Sequence, residues 1–371
     1  MATSDAIIVG GGMVGAAFAY GLARAGLKVA VFDGGDLSYR ASRGNFGLVA
    51  TQLKGIGNPP YHKWSREAAD LWPDFAAELR ERTGVDVYHE RKGSAIALLT
   101  PDEWAARAKQ MAQLAREQNE IGFEYKMLDH KELADLVPGT GPEVLGASFT
   151  AYDGQCTPLY LLRAMHEATI ALGGRYLPNA DVETIEFVGS DFRVQAGGHD
   201  VTAPKILLCS GLGITPLARK IGLNVPIGPQ RGQVIVTERL EPVLPLQMGV
   251  IRQTPEGGIM IGATRENAGY DLKTTPQGMQ GLASRAVKIL PYLKKVRAVR
   301  VWSALRVMTP DEFPVYQESP NHPGAFVATC HSGVTLSSIH ALQLAPSMIA
   351  TGVPSELGCF SSGRFDVQAA A

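Results

Sequence analysis

Four residues near the amino terminus have the types and the spacing of a site that binds a dinucleotide. Gly10, Gly12 and Gly15 form the pattern G-x-G-x-x-G, and Asp33 follows 18 residues after the last of them. The first glycine of such a pattern permits a tight turn, the second leaves room for a pyrophosphate, and the third lets a helix pack close to the sheet. A carboxylate at the position of Asp33 can accept hydrogen bonds from the ribose hydroxyls of an adenosine. These residues predict a site for NAD or FAD, and their positions alone do not decide between the two.

The segments around this pattern are the elements that such a site requires. The apolar run 6–9 predicts a buried parallel strand, and residues 13–25 predict a helix that ends before Gly26. Residues 27–32 predict a second strand, with Asp33 at its carboxyl end. The amino terminus of the helix would offer free N–H groups to a phosphate. A glycine-rich turn without a ligand is the alternative, and the register of strand, helix, strand and carboxylate disfavours it.

Strands and helices alternate along the rest of the chain, and the sequence shows no internal repeat or low-complexity linker. Predicted helices occupy residues 59–82, 103–119, 157–172 and 275–290, and predicted strands occupy residues 94–100, 180–187, 192–196, 205–209 and 299–305. A block rich in strands spans 233–264, and residues 324–352 predict a strand, a tight turn and a helix. This alternation indicates that the nucleotide-binding domain is assembled from separated segments.

Composition places the chain among ordinary globular proteins and disfavours several classes of function. Its 371 residues favour two domains, and its net charge of −1 gives no indication of a nucleic acid partner. The four cysteines include no C-x-x-C pair, which argues against a structural metal site and an iron–sulfur cluster and fits a reducing compartment. No signal peptide is visible, and no apolar run reaches the length of about 18 residues that a membrane span needs. We therefore expect a cytoplasmic protein, and peripheral attachment to the inner membrane stays open.

Eight segments, taken in order, carry a resemblance to a known family. They are residues 10–33, "ASRGNFGLV" (41–49), "GQCTPLYLLRAM" (154–165), "KILLCSG" (205–211), "PQRGQVI" (229–235), "GGIMIGAT" (257–264), "ALRVMTPDEFPVY" (304–316) and "CHSGVTLSSIHA" (330–341). Together they make the chain similar, over essentially its whole length, to the D-amino-acid-oxidase-type flavoproteins, which include glycine oxidases, sarcosine oxidases and D-amino acid dehydrogenases. The stretches "CHSGVT" and "GNFGLV" look most like the catalytic beta subunits of opine or D-hydroxyproline dehydrogenases.

The resemblance implies an α/β fold with an α+β second domain. The first domain would be a Rossmann-like FAD-binding domain assembled from residues 1–86, 148–226 and 319–371. The second domain, made of residues 87–147 and 227–318, would bind the substrate on a large antiparallel or mixed β-sheet.

The resemblance also implies that the dinucleotide is FAD. The residues that it assigns to the cofactor are Gly10, Gly12, Met13, Val14, Gly15, Asp33, Ala41, Ser42, Arg43, Asn45, Gly47, Leu48, Val182, Ser210, Gly211, Arg306, His331, Ser332, Gly333, Val334 and Thr335. Among them, residues 331–335 would cap the pyrimidine ring of the flavin from a loop and a helix N-terminus, with an ordinary helix cap as the alternative. Sarcosine-oxidase-like relatives attach the flavin through a cysteine just before the T-P-D segment, and "SALRVM" (303–308) contains none. We therefore expect non-covalent FAD, and we expect no metal.

The chemistry that the resemblance implies is transfer of a hydride from the carbon beside an amine to flavin N5, giving an imine that hydrolyses to an oxo acid. Arg306 matches the family's substrate arginine, whose planar fork suits a carboxylate, and pairing with Asp311 or Glu312 is the alternative. Arg252 is predicted to bind a second carboxylate or a distal polar group, with a solvated strand arginine as the alternative. His331 is predicted either to donate a hydrogen bond to flavin or substrate or to pack within its loop. No general base is required, because the substrate can react as a free amine.

The substrate and the electron acceptor stay open at this point. The implied substrate is a D-amino acid, a glycine-like acid or a secondary-amine acid such as hydroxyproline or an opine, used in amino acid catabolism. Electrons would pass to oxygen, to a quinone or to a partner chain of a hetero-oligomer, and any iron–sulfur relay would then belong to that other chain. The remaining alternative is an FAD-linked oxidoreductase of another substrate class that shares only the nucleotide site.

Overall fold

Strands and helices alternate in the protein as the sequence predicts. The computed structural model describes residues 2–35, 40–118 and 121–366. Residues 1, 36–39 and 367–371, which belong to the predicted FAD-binding segments, and residue 119, the predicted end of a helix, lie outside the described residues. The strands are β1 Ala2–Thr3, β2 Ala6–Val9, β3 Val29–Phe32, β4 Leu48–Val49, β5 Ser94–Leu98, β6 Lys126–Asp129, β7 Gly146–Thr150, β8 Gly154–Gln155, β9 Arg175–Leu177, β10 Glu186–Val188, β11 Asp191–Ala196, β12 His199–Ala203, β13 Ile206–Leu208, β14 Gly228–Arg239, β15 Ile251–Gln253, β16 Gly258–Gly262, β17 Ala298–Met308, β18 Val315–Glu318 and β19 Ala325–Thr329.

Helices fill the connections between these strands. They are α1 Met13–Arg24, α2 Pro59–Thr83, α3 Pro101–Glu117, α4 His130–Leu136, α5 Pro158–Ala171, α6 Ile214–Lys220, α7 Pro276–Ile289, α8 Ser337–Ile339 and α9 Ala345–Thr351, with a π-helical segment His340–Leu344 between the last two. Short 3₁₀ helices occupy four further segments, Gly211–Gly213, Pro291–Lys295, Ser355–Phe360 and Ser362–Phe365.

The largest sheet has the strand order β18-β19-β13-β2-β3-β9. Strands β19, β13, β2, β3 and β9 run parallel, and β18 joins the edge antiparallel to β19. Its members are far apart in sequence, because Ile7 of β2 lies opposite Ile206 of β13, which in turn lies opposite Ala325 of β19. The nucleotide-binding core is thus assembled from separated segments, and the predicted α/β class is confirmed.

Both faces of this parallel sheet are buried, which explains why its strands are apolar at every position. Ala6 and Ile8 of β2 pack with α1 and the carboxyl-terminal helices, in one apolar layer. Ile7 and Val9 point to the opposite layer, where they pack with residues that follow β9 and with α6. The sheet is therefore packed between two apolar layers, and this packing positions the carboxyl ends of its strands.

A second group of sheets is antiparallel. One has the order β15-β16-β14-β17, and the other has the order β5-β7-β6. A bridge between Ser94 and Gln247 joins the two, and they share an apolar core with α7. The large sheet expected in the substrate domain is therefore divided into two sheets. Smaller sheets, β1-β12-β11-β10 and β4-β8, complete the fold.

Several predicted boundaries differ from the structure. The predicted strand 180–187 is wrong at its beginning, because only Glu186–Val188 pairs in a sheet. The apolar residues before it are buried by packing against the parallel sheet, which produces a strand-like pattern without a ladder. The short strand β9 was not predicted. The predicted domain limits remain predictions, although the limit between residues 147 and 148 falls inside β7, and β18 pairs within the sheet of the other predicted domain.

Candidate active site

A cleft of about 780 Å³ opens at the carboxyl ends of the parallel strands. Its wall there includes residues at or just after the ends of β2, β3, β13 and β19, namely Val9, Phe32, Cys209 and Thr329. On the other side it reaches the antiparallel sheet through Gly232 of β14, Gly262 of β16 and Arg306 of β17. Ligands of open parallel sheets bind beyond the carboxyl ends of the strands. This cleft is therefore the candidate active site.

Most of the residues predicted from the sequence line this cleft. They are Gly10, Gly12, Met13, Val14, Asp33, Ala41, Ser42, Arg43, Asn45, Leu48, Val182, Ser210, Gly211, Arg306, His331, Ser332, Gly333, Val334 and Thr335. Gly15, Gly47 and Arg252 are not part of the wall, and each lies behind it in a supporting position.

The glycine-rich turn fits closely against its neighbours. Gly10 has a φ of 101°, in the region that favours glycine, and a Cβ there would lie 2.6 Å from the carbonyl oxygen of Cys209. A Cβ on Gly15 would lie 1.8 Å from the carbonyl oxygen of Gly10, so α1 approaches the turn more closely than any side chain permits. The turn therefore requires glycine at both positions, for the physical reasons that the sequence pattern implies.

Asp33 is held at the end of β3 by the backbone. Its Oδ2 accepts a hydrogen bond of 2.7 Å from the N–H of Gly11, and its Oδ1 accepts one of 2.9 Å from the N–H of Gly35. A carboxylate oxygen can accept two hydrogen bonds, so these two contacts do not exhaust the capacity of a carboxylate that lines the cleft. Asp33 is thus oriented for the ribose contact that the sequence predicts.

The amino terminus of α1 faces the cleft beside Ser42 and Ser210. The first helical N–H, that of Met13, donates a hydrogen bond of 2.8 Å to Ser42 Oγ. A Cβ on Gly12 would lie 3.0 Å from the same oxygen, so the space in front of the helix exists because Gly12 has no side chain. Ser210 Oγ is buried and has no hydrogen-bond partner among the described residues. An open cradle at a helix N-terminus and an unsatisfied hydroxyl fit a phosphate-bearing ligand.

The loop 41–49 joins the dinucleotide end to the second sheet, and Arg252 supports it from behind. Asn45 Oδ1 accepts a hydrogen bond of 2.7 Å from the N–H of Gly47, and a Cβ on Gly47 would lie 2.3 Å from the carbonyl oxygen of Cys156. Arg252, only 2 % exposed, donates from Nε to the carbonyl oxygen of Phe46, and burial lowers the pKa of its guanidinium to about 10. The predicted role in binding a second carboxylate does not match this position, because the side chain from β15 points beneath the loop instead of into the cleft. Arg252 is a positioning residue.

Residues 331–335 form turns that contact the loop 41–49 directly. Thr335 Oγ1 accepts a hydrogen bond of 3.1 Å from the N–H of Ala50 and donates one of 3.3 Å to the carbonyl oxygen of Leu48. Ser332 Oγ lies 2.5 Å from Tyr61 Oη. The helix begins only at Ser337, so the N–H groups that face the cleft belong to turns, where the sequence suggested a helix N-terminus.

Arg306 projects into the cleft from β17 without a carboxylate partner among the described residues. Its Nη1 has only two long contacts of 3.4 Å, to Gln230 Oε1 and to the carbonyl oxygen of Arg231. The alternative predicted from the sequence, pairing with Asp311 or Glu312, is not observed. Asp311 instead pairs with Arg364 at 2.7 Å, and Glu312 lies 3.5 Å from Arg265. Burial and Arg265 lower the pKa of Arg306 to about 10.

Lys54 is a charged wall residue that the sequence analysis missed. It lies partly buried in the cleft wall near Arg306, His331 and Arg265. Burial, then the charges of Arg265 and Arg306, lower the pKa of its ammonium group to about 8. Burial and the same three cations hold the pKa of His331 well below its ordinary value, so this imidazole is neutral at pH 7. The one available signal was that Lys54 is the only cation between residues 44 and 62, in a segment rich in apolar residues and glycine.

Comparison with known proteins identifies the family. The family described as "DAO: FAD dependent oxidoreductase" matches residues 5–346 of the chain. The chain belongs to this family. Its cofactor is therefore FAD, as predicted, and the residues described above fit it. The predicted class, an FAD-dependent oxidoreductase, is confirmed, while the contact of each residue with the cofactor remains a prediction.

Individual relatives cover almost the whole chain. An opine oxidase subunit of Agrobacterium tumefaciens (strain Ach5) is 40% identical over 366 residues, which cover 99% of this chain and 99% of the relative. Glycine oxidase of Geobacillus kaustophilus (strain HTA426) is 29% identical over 370 residues, covering 97% of each chain. The crystal structure of glycine oxidase from Geobacillus kaustophilus superposes with a TM-score of 0.88 at 26% identity and covers 97% of this chain and 98% of that one. Within the described residues, no helix of this protein is long and apolar enough to cross a membrane.

Proposed function

We propose that this chain oxidises the C–N bond of an amino acid or secondary-amine acid and that it is the catalytic subunit of a larger enzyme. FAD, when bound, supplies the acceptor for the hydride that leaves the carbon beside the amine. The residues of the chain hold the substrate and orient it. The observation that carries this proposal is Arg306, a partly buried cation without a carboxylate partner among the described residues.

Arg306 is suited to hold the carboxylate of an amino acid. A guanidinium group that loses solvent without gaining an anion is costly, and burial accordingly lowers its pKa to about 10. A substrate carboxylate would accept two parallel hydrogen bonds from the planar fork, which fixes the direction of the substrate as well as its position. Gly232 on β14 gives the guanidinium itself room to lie against the sheet, because a Cβ there would lie 2.9 Å from Arg306 Nη2. Arg306 is therefore placed in the cleft wall where it can orient the substrate by its carboxylate.

His331 contributes hydrogen bonding without charge. Its pKa lies well below its ordinary value because of burial and the nearby cations, so the imidazole is neutral at pH 7. A neutral imidazole has one donor and one acceptor nitrogen and can bind a polar group of the flavin or the substrate. It is not required as a general base, because hydride transfer needs orientation of a free amine more than it needs a proton acceptor.

The likeness to the opine oxidase chain supports the finer part of the proposal. That relative is named as a subunit, and the similarity extends over 99% of both chains. We infer that this chain also works with a partner chain, which accepts its electrons directly or passes them to a quinone or oxygen. We further infer a cytoplasmic location, supported by the free cysteines, three of which are buried thiols.

The proposal also includes non-covalent attachment of FAD. Two cysteines, Cys209 and Cys330, line the cleft, and burial raises the pKa of each thiol, that of Cys330 to about 12, which makes them poor nucleophiles. Acid precipitation tests this point, because non-covalent FAD is released into the supernatant. Flavin that stays with the precipitated chain would contradict it.

The experiment for the main proposal is anaerobic reduction of the bound flavin. Glycine, sarcosine, D-alanine, D-proline, D-hydroxyproline and an opine are added in turn, and the visible flavin absorbance is followed. Bleaching by one of them, which Arg306→Met prevents while it retains FAD, is the expected result. Admission of air then separates an oxidase from a dehydrogenase, and co-purification of a second polypeptide tests the proposal of a partner chain. FAD that none of these compounds bleaches contradicts amine oxidation.

A further inference from the structure

Both backbone polar groups of Gly11, in the glycine-rich turn, are held by side chains from other elements. Its N–H donates the hydrogen bond of 2.7 Å to Asp33 Oδ2 described above. Its carbonyl oxygen lies 2.8 Å from Nε2 of His166, a residue of α5 that is 155 positions further along the chain. A carbonyl oxygen can only accept a hydrogen bond, so His166 donates it from Nε2. Two side chains therefore fix the two peptide planes that meet at Gly11.

His166 is itself held in place by its helix and by an aromatic neighbour. Helix α5 shares an apolar core with α1, to which Met165 and Ala168 contribute. The imidazole lies against the ring of Tyr176 from β9, with ring centroids 4.3 Å apart and ring planes inclined by 30°. Burial lowers the pKa of His166, so the imidazole is neutral at pH 7 and carries its one N–H on Nε2. The donor to Gly11 is thus fixed in position and in protonation state.

The peptide bond between Gly11 and Gly12 connects this contact to the cleft. The bond is trans, so the N–H of Gly12 points away from the carbonyl oxygen of Gly11 and from His166. Gly12 lines the cleft, and its N–H has no hydrogen-bond partner among the described residues. The neighbouring N–H of Met13, in contrast, donates to Ser42. An unpaired backbone donor at this place in the cleft suits an anionic ligand.

We propose that His166 is a positioning residue for the cofactor, which holds the carbonyl oxygen of Gly11 and thereby keeps the Gly12 N–H directed toward the pyrophosphate of FAD. Glycine restrains its own backbone less than any other residue, so a peptide between two glycines needs an external contact to keep one orientation. A donor that is oriented beforehand loses little freedom when the ligand binds, which increases affinity. This inference concerns cofactor binding alone and does not depend on which amine the enzyme oxidises.

Dilution of the FAD-loaded protein measures this role without any substrate. The FAD released at each protein concentration is determined by its fluorescence after ultrafiltration, which gives the Kd for FAD. His166→Phe keeps an aromatic ring beside Tyr176 and removes the donor, whereas His166→Gln removes the ring and keeps a side-chain N–H donor. We expect His166→Phe to raise this Kd about 10-fold, close to the lower limit for one hydrogen bond to a charged group, and His166→Gln to raise it less than about threefold.

His130→Phe is the matched control for loss of a histidine contact to the backbone. His130 Nδ1 lies 2.7 Å from the carbonyl oxygen of Val144, and neither residue lines the cleft. This variant should leave the Kd for FAD unchanged. The proposal is overturned if His166→Phe binds FAD as tightly as the unmodified chain. It is also overturned if His166→Gln loses as much affinity as His166→Phe or more, because packing of the ring would then account for the effect.

A second measurement uses the unmodified FAD-loaded protein and does not depend on the folding of His166→Phe. NMR of the histidine ring nitrogens, with the signals of His166 assigned by their absence in His166→Gln, shows which nitrogen carries the proton. We expect Nε2–H, and a proton on Nδ1 alone overturns the proposal, because Nε2 could then not donate to Gly11. Failure of amine oxidation would be a separate result, since neither measurement uses a substrate.

Discussion

Replacement of Arg306 by Met should strongly weaken productive binding of substrate while FAD remains bound. The guanidinium has only two long contacts of 3.4 Å with the protein, so its removal costs the fold little. The substrate, in contrast, loses two parallel charge-assisted hydrogen bonds, each worth about 1.5–3 kcal/mol. A total of about 3–6 kcal/mol corresponds to a decrease in kcat/KM of between about 10² and about 10⁴.

Arg306→Lys separates charge from geometry. Lysine keeps the positive charge but cannot form the two parallel hydrogen bonds of a guanidinium. We therefore expect a decrease in kcat/KM of about 10- to 100-fold, which is smaller than that of Arg306→Met. Most of the loss should appear in KM, because the carboxylate is held in both the ground state and the transition state. Arg300→Met is the matched control, since Arg300 lies on the exposed part of the same strand.

Stopped-flow reduction of the flavin under anaerobic conditions measures both parameters without an electron acceptor. The reasoning is refuted if Arg306→Met retains a KM within about threefold of the unmodified chain, because no loss of a bidentate contact is that small. It is also refuted if Arg300→Met has the same effect, since the loss would then come from the strand and not from the cleft.

Two further predictions follow from contacts in and behind the cleft wall. Gly15→Ala should lose FAD, measured as flavin absorbance per chain after gel filtration, because its Cβ would lie 1.8 Å from a carbonyl oxygen of the turn, whereas Gly281→Ala, with open space around it on α7, should retain FAD. Asp153→Asn should lower stability by about 1–3 kcal/mol, seen as a lower Tm, because its new amide would face the Gln52 Nε2 donor that now lies 3.0 Å from Asp153 Oδ2.

The sequence predicted best those features that depend on short segments. Gly10, Gly15 and Asp33 could be recognised because a strand, a turn and a helix set their positions within 30 residues, and the structure gives each a local steric or hydrogen-bonding reason. Arg306 could be recognised through its motif, although the sequence could not show whether Asp311 would neutralise it. That question was decided by Arg364, 53 residues further along the chain.

The features that escaped prediction depend on contacts between distant segments. Lys54 belongs to no motif, and its lowered pKa results from burial and from the charges of Arg265 and Arg306, which only the folded chain brings near it. Arg252 was expected in the cleft because it lies on the correct strand, yet the carbonyl oxygen of Phe46 holds it behind the wall. The alternation of side chains along a strand shows on which face of the sheet a residue lies, but it does not show which loop covers that face.

The strand order of the parallel sheet determines when during synthesis a cofactor can first be bound. The central strand β2 is among the first residues to leave the ribosome, but its neighbour β13 ends at residue 208 and β19, beyond it, ends at residue 329. Contacts between such distant segments form slowly, because a long loop must close before they add stability. The strand β2 therefore stays unpaired on one edge until β13 has been made, when more than half of the chain exists, and the parallel sheet is complete only after β19, at about nine tenths of the chain. Flavin added during translation should thus be captured only near the end of synthesis, and chains truncated before residue 325 should depend on chaperones and aggregate in preference to binding FAD.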